Sequence, residues 1–390
     1  MDKVFDVHIH FSFNIPMSEM VEIFKEEFEE TGTEKYVFLS LPHHANGNGL
    51  FLNADQNVKG LFLKKYFSPN GYAFAGLIHP QTDILNADRA ELYYNQAVSY
   101  CSMGFDGIKM LEGHPTLRKA TGIALSSTVY DKFYSYLEET GMPVIMHVAD
   151  PAESWSLETA SESAKVLGRV YGEDFPTKRQ LTDEVFELLS KHPELKLGLA
   201  HFGFMSYDIA EAERFLSYKN TFFDLTPGGE QLINMSCEWD RWLPFFKKYQ
   251  DRILYGTDFY AFPKKNEKEW RIAFRLRPDF LRRFFETDNE YVYIDQAFRG
   301  VNLDEKLRNK LYRENFMKLL GNPKPVDERA LQVDIERLLQ QQPSGSKYYT
   351  KDGIIDLSDS DNLKSVRERY TSDLQFMSDK LKTLIQKNNN

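Results

Sequence analysis

Histidine and aspartate residues stand at the ends of several short apolar runs in this chain. His8 and His10 close the first run, His147 and His201 lie at the ends of two later ones, and Asp258 lies near the end of another. Imidazole and carboxylate groups are suitable ligands for Zn²⁺ and related divalent ions. A catalytic metal site needs three or four such protein ligands and one open position. These five residues are therefore candidates for one metal centre, provided that a single fold brings them together.

The apolar runs that carry these residues have the pattern of buried parallel strands. Each is rich in Val, Ile, Leu, Phe and Tyr, is too short for a buried helix, and is flanked by turn residues or charge. Eight of them follow one another: 4–10, 35–41, 72–79, 106–112, 143–149, 196–203, 221–227 and 252–259.

Helix-patterned segments separate the strands, and two of them end on Gly32 and Gly141, which are typical stop signals. Their ranges are 17–32, 89–104, 126–141, 177–195, 206–220 and 237–251. Alternating strands and helices indicate right-handed parallel crossovers, and eight strands predict a closed (β/α)8 TIM barrel, an α/β fold. The alternative is an open doubly wound sheet, which usually has a glycine-rich turn after strand 1. Here strand 1 ends in His-Ile-His instead.

The barrel prediction places the candidate ligands. The active site of such a barrel lies at the C-terminal ends of its strands. Side chains two apart on a strand point to the same side, so we expect His8 and His10 to face the barrel mouth together. His147 on strand 5, His201 on strand 6 and Asp258 on strand 8 would reach the same rim. Asp258 could bind the metal and accept a proton from its bound water, and His201 could polarise the substrate or transfer protons.

Composition limits the classes of function. The 390 residues carry a formal net charge of −10, which disfavours nucleic acid as a partner. The two Cys residues lie far apart in predicted helices, so we expect a reducing compartment and no disulfide. The N-terminus lacks the pattern of a signal peptide, and no run reaches the roughly 18 apolar residues of a membrane span. We expect a cytoplasmic protein that binds a small-molecule substrate.

The chain divides into a catalytic barrel over 1–323 and a helical C-terminal extension over 324–390. The segment 303–321 follows the last strand and is predicted to be an amphipathic helix that ends at Gly321 and Pro323. In the extension, 326–342 and 360–387 read as helices, and 343–353 reads as a loop. The extension could serve assembly, and we expect a homo-oligomer.

Other polar residues near the strand ends have open interpretations. Lys109 and Glu112 lie on strand 4 and could line the barrel, contact substrate or bridge two metals. His43 starts the loop after strand 2 and faces either substrate or solvent. Trp155 and Arg271 are further candidates for substrate contact.

Arginines follow strand 8 in a helical pattern; they could bind an anionic substrate, but a solvated helix face is the expected environment. They are Arg271, Arg275 and Arg277. We expect Asp224 on strand 7 either to belong to the polar layer of the barrel or to support the site from outside the ligand set, and His79 on strand 3 to be structural.

These motifs resemble the amidohydrolase superfamily. The His-x-His of strand 1, the histidines of strands 5 and 6, and the Asp in YGTDF are similar to its amidohydrolase-2 branch, which includes aminocarboxymuconate-semialdehyde decarboxylase, aromatic-acid decarboxylases and lactonases. The closing segment KLYRENFMKLLG is similar too. The resemblance covers about 1–323 and leaves 324–390 without a counterpart.

The resemblance implies roles for individual residues. It makes His8, His10, His147 and Asp258 ligands of one divalent ion, usually zinc, and His201 the catalytic proton carrier. In binuclear relatives the histidines of strands 5 and 6 bind a second ion, bridged by a modified lysine on strand 4, which is the strand of Lys109. We expect one Zn²⁺, although the sequence is also compatible with two ions.

Three functions are consistent with this site. The leading one is hydrolysis, in which metal-bound hydroxide attacks a lactone, ester or amide carbonyl. The second is non-oxidative decarboxylation of an aromatic or enol acid, which needs a cation and an aromatic wall, with Arg271, Arg275, Trp155 and Phe11 as candidates. The third is a non-catalytic barrel, which predicts eroded ligands. All five candidate residues are intact, which favours an enzyme.

Overall fold

Eight parallel strands form the centre of the fold. The computed structural model describes residues 2–11, 15–44, 55–80, 84–166, 168–228, 231–261, 267–294, 296–341, 347–350, 353–356 and 358–388. The strands are β1 (Val4–His10), β2 (Thr33–Leu39), β3 (Gly71–Gly76), β4 (Gly107–Gly113), β5 (Val144–Val148), β6 (Leu197–Leu199), β7 (Thr221–Asp224) and β8, which has two segments, Ile253–Leu254 and Phe259–Tyr260.

The two segments of β8 close the sheet into a barrel. Neighbouring strands pair in parallel in chain order from β1 to β7. The first segment of β8 pairs with β7 through Ile253 and Leu254, and the second pairs with β1 through Phe259 and Tyr260. The amide of Val7 on β1 also donates to the carbonyl oxygen of the intervening Tyr255, at 3.1 Å. The ring is complete, and the predicted TIM-barrel fold is confirmed.

A β-bulge in β1 decides which way its histidines face. Phe5 and Val7 belong to an apolar cluster drawn from strands around the whole ring, so they point into the barrel. His8 and His10 occupy the alternate positions, which would face outward on a regular strand. However, the four residues of β1 from Asp6 to Ile9 lie opposite only three residues of β2, Tyr36 to Phe38. Such a bulge re-aims side chains, and here it turns both imidazoles into the mouth.

The segment after β8 closes the opposite end of the barrel. Helical turns run through Glu305–Asn309, Lys310–Glu314 and Asn315–Leu320, the middle one with π-type hydrogen bonds. Phe316 and Leu319 join the interior apolar cluster. The buried side-chain amide of Asn315 donates to the carbonyl oxygens of Gln250 and Ile253, both at 2.7 Å, and so anchors the start of β8.

Helices surround the barrel as the apolar periodicity predicts. Gly32 and Gly141 follow helices in the left-handed conformation, and Thr177 begins another with a capping box. Apart from the segment after β8, the α-helices of the described residues are Met17–Thr31, Gln56–Tyr66, Asn86–Met103, Pro115–Thr121, Asp131–Thr140, Glu162–Val166, Lys178–Lys191, Ile209–Leu216, Gln231–Cys237, Trp239–Lys248, Glu267–Glu286, Glu328–Gln340 and Ser360–Asn388. Within the described ranges, none of the helices has the length and apolarity to cross a bilayer.

Three regions differ from the sequence-based expectation. β6 ends at Leu199, and β8 is interrupted between Leu254 and Phe259, because left-handed residues break the ladder there. Residues 78–79 leave β3 and pair with 43–44 in a separate short ladder. Part of the expected loop 343–353 pairs instead, as Lys347–Thr350 with Gly353–Asp356. A second hairpin, Glu290–Tyr293 with Gln296–Arg299, was not expected.

The C-terminal helix Ser360–Asn388 is attached to the barrel through a buried ion cluster. Lys59 Nζ lies 2.8 Å from Asp55 Oδ2 and 2.9 Å from Asp373 Oδ2, and all three side chains are buried. The other oxygen of Asp373 accepts from the backbone N–H of Met17 at 2.9 Å. Asp373 therefore caps the first barrel helix, whose own N-cap residue, Pro16, has no side-chain acceptor.

Asp373→Ala is expected to lower the free energy of unfolding by about 3 kcal/mol, because it breaks a buried ion pair and removes a helix cap. Asp379→Ala on the same helix removes an exposed carboxylate and serves as the matched control. Chemical denaturation of both variants measures the difference. Equal loss of stability in the two variants would show that the buried cluster does not stabilise the fold.

Candidate metal centre

Three side chains from β1 and the break in β8 lie around one point at the barrel mouth. The ligand atoms of His8, His10 and Asp258 all lie within 4.8 Å of one another, and all three residues are buried. The Nε2 atoms of His8 and His10 are 3.1 Å apart. Asp258 Oδ1 lies 3.7 Å from the first and 3.6 Å from the second.

The second nitrogen of each imidazole has its own acceptor. His8 Nδ1 lies 2.8 Å from Asp224 Oδ2, and His10 Nδ1 lies 3.0 Å from the carbonyl oxygen of Leu39. Because these oxygens accept, the ring protons belong on Nδ1, and each Nε2 presents a lone pair. Two lone pairs 3.1 Å apart beside a carboxylate oxygen repel one another in the absence of a cation or a shared proton. This donor set fits a divalent ion.

Burial keeps both imidazoles neutral. Desolvation lowers the pKa of His8 and of His10 well below the usual range, and the nearby cations Lys109 and Arg277 lower it further. A neutral imidazole is the form that binds a metal, so no proton has to be displaced from either Nε2.

Lys109 of β4 brings a buried amine to the same point. Its Nζ lies 3.5 Å from His8 Nε2. Desolvation lowers its pKa to about 8, although the carboxylates of Asp224, Asp258 and Glu112 oppose that shift. Lys109 therefore faces the barrel interior, as a residue that could line the site or bridge metals would.

His201 lies just beyond β6 and Asp258 lies in the break of β8, and both have left-handed backbone with φ of 53°. A non-glycine residue there costs about 1–3 kcal/mol, so the surroundings must hold it in place. The amide of His201 donates to Asp224 Oδ1 at 2.8 Å. Its ring centroid lies 5.4 Å from that of His8.

His201 Nδ1 is buried and has no hydrogen-bond partner among the described residues. It faces Gly228, where a Cβ atom would come within 2.3 Å of that nitrogen. The backbone at residue 228 therefore leaves space that the His201 ring occupies.

His147 is not part of the three-residue cluster. It belongs to a second group with His114 and Asp150, whose ligand atoms also lie within 4.8 Å of one another. Its ring centroid is 5.0 Å from that of His201, so the two groups adjoin through His201. Three of the four expected ligands are thus brought together, and the fourth lies beside them.

Arg277 is the functional candidate that the helical pattern placed wrongly. It was expected on a solvated helix face, but its guanidinium bonds both the carboxylate and the backbone carbonyl of Asp258. It also lies over the ring of Tyr260, 5.9 Å from the centroid, and its side chain is 34% exposed. Sequence spacing gave no signal for this, because the helix direction after β8 is set by packing.

Arg271 and Arg275 lie away from the centre. Arg271 bonds Glu26 and Glu30 on the outer helices, and Arg275 bonds Asp279 of its own helix. The substrate contact considered for Arg271 is therefore not supported by its position.

Three candidate residues from the sequence remain: Glu112, Trp155 and His43. Glu112 accepts from His79 Nε2 at 2.9 Å, in a buried network that Tyr93 completes, and His79 is structural there. Trp155 donates from its indole to the carbonyl oxygen of Pro176 at 3.1 Å. The backbone of His43 pairs with Ile78, but its side chain lies outside the described residues.

A sequence profile described as amidohydrolase matches residues 97–321, more than half of the chain. No curated protein sequence matches this chain significantly. Among solved structures, 2,6-dihydroxybenzoate decarboxylase from Rhizobium is similar at 16% identity and a TM-score of 0.48, covering 82% of this chain and 99% of that one.

Two further structures show similarity of the same degree. A dihydroxybenzoic acid decarboxylase from Polaromonas, with bound manganese and the inhibitor 2-nitroresorcinol, is 14% identical over 82% of this chain and 97% of that one, with a TM-score of 0.47. 4-Oxalomesaconate hydratase from Rhodopseudomonas palustris is 13% identical, with 87% of this chain and 100% of that chain covered and a TM-score of 0.48. Similarity at this level does not assign a reaction to this chain.

Asp224→Asn is expected to weaken binding of a divalent ion about 10- to 100-fold, because Asn has one acceptor oxygen and cannot accept from both His8 Nδ1 and the amide of His201. Asp106→Asn is the matched control, since this buried Asp bonds Lys64, Ala73 and Lys324 at the other end of β4. Titration with Zn²⁺ against a chromophoric chelator measures the affinities. A similar affinity in both variants would contradict the proposed support by Asp224.

Proposed function

The chain belongs to the amidohydrolase family, and we propose that it is a metal-dependent hydrolase acting on a lactone, ester or amide carbonyl of a small molecule. The observation that carries this proposal is the pair of imidazole lone pairs 3.1 Å apart beside the Asp258 carboxylate. We assign one Zn²⁺ to His8, His10 and Asp258, with His147 as the fourth ligand.

The donor set argues for zinc or a similar ion. Two neutral nitrogens and one carboxylate oxygen suit Zn²⁺ better than Mg²⁺ or Ca²⁺, which prefer oxygen ligands alone. The two thiols are not near this point: Cys101 lies on the helix Asn86–Met103, and Cys237 is exposed at the end of another helix.

A divalent ion held there supplies Lewis-acid polarisation of a carbonyl oxygen and lowers the pKa of bound water to about 7. Asp258 would accept the proton that an attacking water loses, while Arg277 orients its carboxylate. His201 would pass that proton on to the leaving group, since its ring lies between the two histidine groups and Nδ1 has no partner in the described structure. The amine of Lys109 adds positive charge beside a developing oxyanion.

Elemental mass spectrometry of the protein purified without chelator should find about one zinc per chain, and His8→Ala combined with His10→Ala should lose it. About two ions per chain would assign His147, His201 and Lys109 to a second ion. Protein that contains no metal and takes up none from added zinc would contradict the proposal.

Arg277 favours a second candidate function, non-oxidative decarboxylation of an aromatic or enol acid. This one-third exposed cation lies beside Asp258 and over Tyr260, which is the pairing of a charge and an aromatic wall that an acid substrate requires. Trp155 and Phe11 were expected to supply that wall, but Phe11 is buried in the core beneath Gly60.

Turnover of lactone, ester and aromatic-acid panels in H₂¹⁸O separates the two functions. A hydrolase incorporates ¹⁸O into the product acid, whereas a decarboxylase releases CO₂ and takes a solvent proton onto carbon. We expect ¹⁸O incorporation, and a loss of kcat of at least about 100-fold in His201→Asn with the zinc retained. Product formation without ¹⁸O, together with CO₂ release, would exclude hydrolysis in favour of the second function.

A further inference from the structure

Asp150 carries a buried carboxylate that the proposed function does not use. It follows β5 by two residues and is only 2% exposed. Three side chains converge on it: the hydroxyl of Tyr171 donates to Oδ2, His114 Nε2 lies 3.3 Å from Oδ2, and His147 Nε2 lies 3.4 Å from Oδ1. Burying a carboxylate costs free energy, so we expect one that is held by three partners to have a role in the site.

This group has the spacing of a metal site but not the right protons. His114 is the N-cap of the helix Pro115–Thr121, and its Nδ1 accepts from the backbone N–H of Thr116 at 3.2 Å. In a neutral imidazole the proton is then on Nε2, which is the atom that faces Asp150. His114 therefore presents a donor to the centre of the group, where a metal would need a lone pair.

His147 is the member of the group that adjoins the proposed zinc site. Its Nε2 is buried without a hydrogen bond in the described structure, and Asp150 Oδ1 is the carboxylate oxygen next to it. We infer that Asp150 is a positioning residue for His147: the 3.4 Å contact of its Oδ1 with Nε2 favours the ring proton on Nε2, orients the ring beside His201, and leaves the lone pair of Nδ1 for the ion. This inference rests on the proposed function, because His147 is the proposed fourth ligand.

The backbone explains how Asp150 reaches back to the strand from which it comes. Ala149 has φ of 63°, a left-handed conformation that reverses the chain directly after β5. Its amide donates to the carbonyl oxygen of Gly113 at 2.9 Å, which fixes the turn against β4. The carboxylate of Asp150 is thereby directed to the ring three residues earlier.

Tyr171 holds the carboxylate from the other side. It is buried, and its ring packs against Trp155 and Phe175 with centroid distances of 5.0 and 5.1 Å. Its backbone N–H donates to the carbonyl oxygen of Ser154 at 2.9 Å. The segment after β5 therefore delivers the Tyr171 hydroxyl to Asp150, and this contact gives Trp155 an indirect part in the site.

A second buried network supplies matched controls. In it Glu112 contacts His79 Nε2 at 2.9 Å, and His79 Nδ1 contacts the hydroxyl of Tyr93 at 2.8 Å. Tyr93 and Tyr171 are both buried, and each gives one hydroxyl to a carboxylate–histidine network. Tyr93→Phe therefore removes the same chemical group as Tyr171→Phe but leaves His147 untouched.

Cobalt substitution of the full-length protein tests the role of Asp150. Co²⁺ affinity is measured by competition with a chromophoric chelator, and the visible Co²⁺ spectrum reports the ligand geometry. We expect Asp150→Asn to bind Co²⁺ about 10- to 100-fold more weakly with an altered spectrum, since loss of a group that orients a ligand has effects of this size. Tyr171→Phe should shift both in the same direction by less, and Tyr93→Phe should leave both at the wild-type values.

The outcomes separate this inference from the proposed function. Wild-type affinity and spectrum in folded Asp150→Asn and Tyr171→Phe would overturn the positioning role and leave the metal site standing. Equal weakening in Tyr171→Phe and Tyr93→Phe would also overturn it, because the effect would then be a general loss of stability. Wild-type protein that binds no Co²⁺ would overturn the proposed function and this inference with it.

Discussion

The carboxylate of Asp224 is the contact on which the arrangement of the barrel mouth depends. One oxygen accepts from His8 Nδ1, and the other accepts from the backbone amide of His201, so one side chain of β7 fixes a group on β1 and a group that follows β6. The first contact turns the lone pair of His8 Nε2 toward His10, and the second holds His201 in its strained backbone. The geometry of a metal site is commonly set by such supporting residues as much as by the ligands themselves.

The strain and buried charge of the mouth are supported by well-packed structure elsewhere. Left-handed backbone occurs at Ala149, His201 and Asp258, and the buried amine of Lys109 lies among them. At the opposite end, Phe316 and Leu319 fill the barrel while Asn315 holds β8. The C-terminal helix adds a buried ion cluster on the outer helices. Local instability at the site is thus tolerated because the rest of the barrel is rigid.

Periodicity predicted the barrel, and the position of residues at strand ends predicted His8, His10 and Asp258 as neighbours. The two histidines were expected to face the barrel mouth because they are two residues apart on one strand. A β-bulge, which the pattern of a single strand does not show, is what turns them inward. Asp150 was missed since its role depends on a chain reversal at Ala149, and Arg277 was misplaced since the direction of its helix is a tertiary property. The Asp three residues after His147 was a signal that could have been used.

The most direct test of the account is an anomalous difference map from crystals of the zinc-loaded protein, recorded on both sides of the zinc absorption edge. We expect one peak per chain in contact with His8 Nε2, His10 Nε2 and the cluster-facing oxygen of Asp258. A peak elsewhere on the chain, or zinc-loaded crystals with no peak between these three atoms, would contradict the claim that they form a metal centre.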